Sequence, residues 1–301
     1  MITLDKITKT YNKGQITAVK EVSLEVAPGE LFGLIGPDGA GKTSIFRILT
    51  TLLLADKGTA MVNGCDVVKD YAKIRSSVGY MPGRFSLYQD LTIEENLHFF
   101  ATVFGTSIRE NYDLIKDIYQ QIEPFKDRRA GKLSGGMKQK LALCCALIHK
   151  PAVLFLDEPT TGVDVVSRKE FWDMLARLKA EGITIMVSTP YMDEANRCDR
   201  IALIQKGAIL SIDTPAGIIG QFPVALYAVH ATHTHRLLAE VRGYAGTDSC
   251  FAFGDALHVT LKDAGDAAAL ADYLRERGLT DVRVEKIVPG IEDCFIRLLK
   301  D

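Results

Sequence analysis

Residues 31–54 read LFGLIGPDGAGKTSIFRILTTLLL. The first five, LFGLI, are almost wholly apolar and of strand length, the pattern of a strand buried on both faces of a sheet. From Ser44 onward, SIFRILTTLLL has the apolar spacing of a helix. Between them GPDGAGKTS (36–44) meets the pattern G-x-x-x-x-G-K-[ST] at Gly36, Gly41, Lys42 and Thr43, in the strand–loop–helix context that gives the pattern its meaning. Glycines let the backbone N–H groups turn inward around phosphate oxygens, and the helix N-terminus adds the positive end of its dipole. Lys42 is then placed to reach terminal phosphates, and the Thr43 hydroxyl is available to Mg²⁺.

The grammar of LFGLI returns at AVLFLD (152–157) and ITIMVST (183–189), with helix-length segments between. A mostly parallel sheet wrapped by helices follows. Upstream, residues 1–27 alternate apolar and polar, which predicts antiparallel strands ending at the turn Pro28-Gly29. Between about 84 and 132 the spacing turns helical (TIEENLHFFATVF, YDLIKDIYQQIEPF), an insertion into the α/β core whose helical subdomain extends to about 150. From about 222 the segments read strand, helix, strand, strand, helix, strand: a small α+β module. The expected domains are therefore 1–221 and 222–301.

At 301 residues each part can bury its own core. A net charge of −2 gives no general pull toward nucleic acid, so an anionic ligand needs a local site. No apolar run reaches the roughly 18–20 residues of a membrane span, and MITLDKITKTY lacks the layout of a signal peptide; a cytosolic location is expected. The six cysteines lack a C-x-x-C pair and read as buried free thiols. His230, His233 and His235 cluster in VHATHTH, yet no carboxylate or thiol follows at ligand spacing, so solvent-facing histidines are expected there rather than a metal site.

Two further stretches carry chemistry. LFLDE (154–158) puts Asp157 and Glu158 at the C-terminal end of an apolar strand, where open α/β sheets bind ligands. LSGGMKQK (133–140) opens a helix with Ser134 as N-cap and two glycines behind it, an anion-site signal of moderate strength taken alone.

In this order the three motifs resemble those of the ATP-binding subunits of ABC transporters, over nearly all of residues 1–220. The resemblance implies an α/β fold: a P-loop NTPase core with an antiparallel β subdomain and a helical insertion, plus the small α+β C-terminal module. It implies ATP and Mg²⁺ as ligands. Two such domains would face each other head to tail, ATP on one subunit's glycine-rich loop being completed by the other's LSGGMKQ. Residue by residue, Tyr11 matches the aromatic that stacks on adenine. Gly36, Asp38, Gly39, Ala40, Gly41, Lys42, Thr43 and Ser44 match the phosphate loop. Ser134, Gly135, Gly136 and Gln139 match the signature, and Asp164 the aspartate that links the two sites. Asp157, with Thr43, matches the magnesium ligands, and Glu158 the catalytic acid. The implied partners are a membrane permease subunit and a second ATPase subunit, identical or different, on the inner face of the cell membrane; no nucleic acid is implied. The C-terminal module, closing with PGIEDCFIRLL, is similar to the extension of exporter-type members.

Two positions depart from the family. Its γ-phosphate-sensing glutamine falls at Gly83 in VGYMPGRFSLYQDLT, and its phosphate-contacting histidine falls at Pro190 in STPYMDEA. Gln89 lies too far along the loop to substitute. Proline has neither an N–H nor a side-chain donor, so slow chemistry at this chain's own site is expected, with ATP binding retained. The signature is intact, which implies an asymmetric dimer in which Ser134's helix completes another subunit's site. Asp38 and the missing histidine resemble the first half of tandem-ATPase exporters, here as a separate chain. A regulatory pseudo-ATPase that binds ATP structurally is the alternative.

Overall fold

The alternating residues of the N-terminal stretch form a hairpin of β1 (Ile2–Tyr11) and β2 (Ile16–Val26), paired from Ile2–Val26 to Tyr11–Ile16. These coordinates are a computed structural model, describing residues 1–263 and 266–300. β3 (Leu31–Ile35) is buried throughout and feeds the glycine-rich loop, after which α1 (Lys42–Leu49) begins. The helix is shorter than its apolar spacing predicts. Thr51 takes a left-handed φ of 64°, and the Leu52 and Leu53 amides turn back onto the Arg47 carbonyl, leaving Leu52 and Leu54 exposed. The β-branched pair Thr50-Thr51 gives little helical support there.

β4 (Lys57–Val62) and the short β5 (Cys65–Asp66) join the hairpin in a sheet of order β2-β1-β4-β5. α2 (Tyr71–Ser77) leads into β6 (Val78–Met81). The helical insertion then supplies α3 (Ile93–Val103), whose start is fixed by a capping box between Thr92 and Glu95, and α4 (Tyr112–Tyr119), which stops before Pro124. The signature helix α5 (Gly135–Leu147) runs into β7 (Val153–Asp157), followed by α6 (Val165–Ala180) and β8 (Thr184–Thr189). Two strands absent from the sequence reading close the core: β9 (Arg200–Gln205) and β10 (Ala208–Asp213), an antiparallel hairpin turned at Lys206-Gly207, both at positive φ.

The second sheet has the order β10-β9-β3-β8-β7-β6 and is parallel except at the β10 edge. Its register brings Ile35 opposite Thr189 and Asp157 opposite Ser188. The carboxyl ends of β3, β8 and β7 thus lie side by side. Phe32, Leu34, Phe46, Phe155 and Met186 share one buried cluster with Ile2, Leu4 and Val62 of the antiparallel sheet, which fixes the glycine loop between the two sheets.

The chain divides into two compact units, Met1–Pro215 and Ala216–Asp301, so α7 (Pro215–Gly220) falls with the second and the division precedes the expected boundary at 221. In the second unit β11 (Leu226–His230), α8 (Thr234–Gly243), β12 (Thr247–Phe253), β13 (Ala256–Leu261), α9 (Ala267–Glu276) and β14 (Arg283–Ile287) appear in the expected order, and α10 (Ile291–Leu298) ends the chain. The strand order β12-β13-β11-β14, antiparallel throughout, is a split-βαβ arrangement.

Candidate functional site

Steric demand explains the glycines of the phosphate loop. A Cβ on Gly36 would lie 2.2 Å from the Ile204 carbonyl oxygen, and one on Gly41 2.2 Å from that of Ala18, where φ is also +105°. Gly41 caps α1, so the amides of its first turn face the loop, while Asp38 and Gly39 lie exposed at the tip and Ala40 is buried beneath. Lys42 is 3% exposed, and its Nζ donates to the carbonyls of Gly36 (2.7 Å) and Pro37 (3.0 Å). The same Nζ sits 3.0 Å from Glu158 Oε1. A phosphate-loop cation and a strand-tip carboxylate, 116 positions apart in sequence, therefore meet above the carboxyl ends of β3 and β7, with β8 between the two strands.

Asp157 and Glu158 are both held by Ser188. Its hydroxyl donates to Asp157 Oδ1 (2.7 Å) and accepts from the Glu158 backbone N–H (3.0 Å), which also lies 3.1 Å from the Ser188 carbonyl oxygen. Glu158 adopts a left-handed φ of 50°, a costly conformation for a glutamate that this double anchor sustains. Asp157 is buried, and its charge together with burial pushes the neighbouring Tyr80 hydroxyl up to about 12, burial being the larger cause.

Tyr11, at the end of β1, places its hydroxyl 3.1 Å from Ser44 Oγ, so the aromatic stands over the start of α1. Ser134 caps α5, accepting from the Met137 amide. Gly135 and Gly136 pack on the segment after β7: a Cβ on Gly136 would sit 3.0 Å from Ser167 Oγ, and one on Gly135 3.4 Å from the Gly162 carbonyl oxygen. Gln139 lines the same seam beside Thr160 and Val163. Asp164 caps α6 by accepting from Ser167 N–H (3.0 Å), and that bond holds its carboxyl below the usual carboxylate range. The sequence-predicted residues thus form two groups. Tyr11, Gly36–Ser44, Asp157 and Glu158 gather at the carboxyl ends of the central parallel strands; Ser134–Gln139 and Asp164 gather at the α5–α6 seam. Among the described residues, no hydrogen bond of the second group reaches Gly36–Ser44.

The departures have visible surroundings. Gly83 approaches β7 so closely that a Cβ there would lie 3.0 Å from the Asp157 carbonyl oxygen and 3.8 Å from Glu158 Cβ. Pro190 directly follows Thr189, whose carbonyl accepts the Gly36 N–H (3.2 Å). Ser188 escaped the sequence reading as a functional residue: its only signal is a hydroxyl at the end of an apolar strand, and its partners lie about thirty positions away. Of the six cysteines, all free, Cys65 is half-buried rather than buried. His233 precedes α8 without a side-chain capping bond and His230 ends β11; no group of three or more metal-ligating side chains occurs among the described residues. Mg²⁺ needs few protein ligands where phosphates and waters complete its shell, and buried Asp157 with the half-buried Thr43 hydroxyl is an oxygen donor set that would fit it.

Between the sheet core and the helical insertion runs a groove of about 290 Å³, lined by Tyr80, Met81, Leu87, Phe100, Phe104 and His149. His149 stacks on Phe104 at 3.7 Å, and burial holds its imidazole below the usual histidine range. No helix among the described residues is long and apolar enough to cross a membrane.

Strand, phosphate loop, capped helix and strand-tip acids define a P-loop nucleotide-binding protein. The ABC transporter family profile matches residues 19–161. The chain is 39% identical over 312 residues to the Nod factor export ATP-binding protein I of Paraburkholderia xenovorans LB400, covering 99% of this chain and 96% of that one. It is 36% identical over 304 residues to the probable multidrug ABC transporter ATP-binding protein YbhF of Escherichia coli K12, covering 99% of this chain but 52% of that protein, so the chain spans about half the length of that relative. A solved ATP-binding cassette, dimeric in a post-hydrolysis state bound to ADP and Pi, superposes with a TM-score of 0.65 at 26% identity, over 71% of this chain and 98% of that one. The chain belongs to the ATP-binding proteins of the ABC transporter family.

Proposed function

We propose that this chain binds and hydrolyses ATP as a subunit of an ABC exporter, in a head-to-tail dimer beneath a membrane permease on the cytoplasmic side. The contact of Lys42 Nζ with Glu158 Oε1 at 3.0 Å is the single observation that carries this proposal, because it joins the two groups that hydrolysis needs, a phosphate-binding cation and an acid poised toward the attacking water. Mg²⁺, held by Thr43 and Asp157, would neutralise charge on the β- and γ-phosphates. The chain's own residues do the rest. The loop amides and Lys42 bind the phosphates, Tyr11 covers the base, and Glu158, anchored through Ser188, accepts a proton from water. The α5–α6 seam, with Ser134–Gly136 and Asp164 apart from the phosphate loop, suits a contribution to a second subunit's site. The apolar groove beside Arg84 and Phe85 suits docking of the permease. The names of the relatives, multidrug and Nod factor export among them, favour outward transport of organic molecules.

Gly83 and Pro190 remove two donors from the chain's own site, and removing one preorganised donor typically costs about 10²–10³ in rate. Slow intrinsic turnover and an asymmetric dimer with a different ATPase subunit follow. The same two positions favour a second role, a regulatory subunit that binds ATP structurally and completes its partner's site. Steady-state ATP turnover over a range of protein concentrations, beside Glu158→Gln and a nucleotide titration, tests both. Turnover that rises with dimerisation and vanishes in the variant supports a working ATPase; tight ATP binding without turnover supports the structural role. Absence of ATP binding would refute both.

A further inference from the structure

Behind Pro190 lies a buried polar cluster for which the phosphate chemistry leaves no task. Glu194 is 4% exposed, yet its carboxylate is charge-paired and fully engaged. Oε2 accepts from the hydroxyls of Thr160 (3.1 Å) and Thr189 (2.5 Å), and Oε1 accepts from Arg168 Nε (3.1 Å). Thr160 and Thr189 are themselves buried. Arg168 continues outward to Asp193 (3.0 Å) and lies 4.1 Å over the Tyr191 ring, while the Tyr191 N–H donates to Thr189 Oγ1 (3.1 Å). Three segments converge on one carboxylate: the tip of β8, the loop after Glu158, and the first turn of α6.

Each segment leads elsewhere. The β8 tip touches the phosphate loop through Gly36 N–H on the Thr189 carbonyl, and touches both acids through Ser188. The loop containing Thr160 carries Gly162, and the start of α6 carries Ser167, against which Gly135 and Gly136 of the signature helix pack, respectively. Glu194 is thus the node through which the strand tip beside the phosphates is tied to the signature side. A buried, fully satisfied ionic network is rigid and couples its members, because loosening one bond strands a charge in a low dielectric.

We infer that Glu194, with Arg168, is a positioning residue that couples nucleotide at this chain's own phosphate loop to the α5–α6 seam. In a chain with proline at 190, this link runs through the protein behind the strand tip and needs no side chain on the γ-phosphate. The inference rests on ATP binding by the chain as proposed above.

The test uses the whole 301-residue chain and hydrogen–deuterium exchange with and without MgATP, beside an ATP-binding titration. In the wild type, MgATP should slow exchange of amides 134–139 and 160–168 by about tenfold, within the usual range of coupling between sites. Glu194→Ala should bind MgATP within about threefold of wild type yet lose that protection, and Glu194→Gln, whose amide oxygen can keep Arg168 while its NH2 donates to the threonine hydroxyls in reversed bonds, should keep most of it. Thr160→Val, a milder change, should weaken the protection even if Glu194→Ala fails to fold. A merely structural role would lower the melting temperature while leaving the ATP-induced protection equal in wild type and variants; that result overturns the inference alone. Failure of the wild type to bind ATP overturns the proposed function and this inference with it.

Discussion

Glu158 and Lys42 neutralise each other at 3.0 Å, and a bound triphosphate would have to compete for the same ammonium. Replacing Glu158 by Gln removes the competing charge. Glu158→Gln should therefore bind ATP about tenfold more tightly while turnover falls by at least about 10², the sign expected when a charged hydrogen bond is released to the ligand; calorimetric titration and a turnover assay check the two halves. The two departures from the family pattern differ in what repair would require. At 190 the backbone is already placed beside Gly36, so Pro190→His should raise turnover by at least about tenfold. Gly83→Gln must first move the loop, since its Cβ would meet the Asp157 carbonyl at 3.0 Å, and should by itself give a smaller gain with some loss of stability. Single and double variants in one turnover assay, with thermal melts, distinguish these outcomes. Gly36, Gly41 and Lys42 were legible as a spacing because the chemistry is local to nine residues. Ser188 and Glu194 were not, because their roles exist only once β8 lies beside β7 and α6.

Elements join through a few such bonds. Asp56, just before β4, accepts from Lys9 Nζ (2.7 Å), Thr10 N–H (2.6 Å) and the Thr10 hydroxyl (2.8 Å), clamping the end of β1 next to Tyr11. The Lys9 hydrogen bond first, then those of Thr10, hold its carboxyl down from the ordinary 3.8 to about 2. A carboxylate with a depressed folded-state pKa contributes stability that is present above its unfolded value and is lost as pH falls through the folded one. Stability measured by urea unfolding should accordingly fall between about pH 4 and 2 in the wild type, and Asp56→Asn should flatten that part of the profile. Strand existence was readable from apolar runs at β3, β7 and β8. The hairpin β9–β10 was not, because its runs are short and its turn, Lys206-Gly207, carries one glycine among polar neighbours. Similarly, α1 stops at Leu49 although apolar spacing continues, because the chain turns back toward β4.

For the whole molecule, two compact units imply separable stability, with the residues proposed for the nucleotide site all in the first. A fragment ending at residue 215 should fold and bind MgATP within about threefold of the 301-residue chain; a larger loss in a titration would assign the second unit a part in the nucleotide site. Family membership, the phosphate loop, the two acids, the signature and the order of elements in the second unit were determined by sequence alone, since each depends on residue types at short, fixed spacing. Only the tertiary structure decided that Lys42 pairs with Glu158, that Ser188 holds both acids, that Gly83 lies against β7, and that Glu194 ties the strand tip to the signature side. Apart from the five-residue step from Thr189 to Glu194, these are contacts between residues 26 to 116 positions apart. The register of the parallel sheet creates them, and local periodicity carries no record of that register.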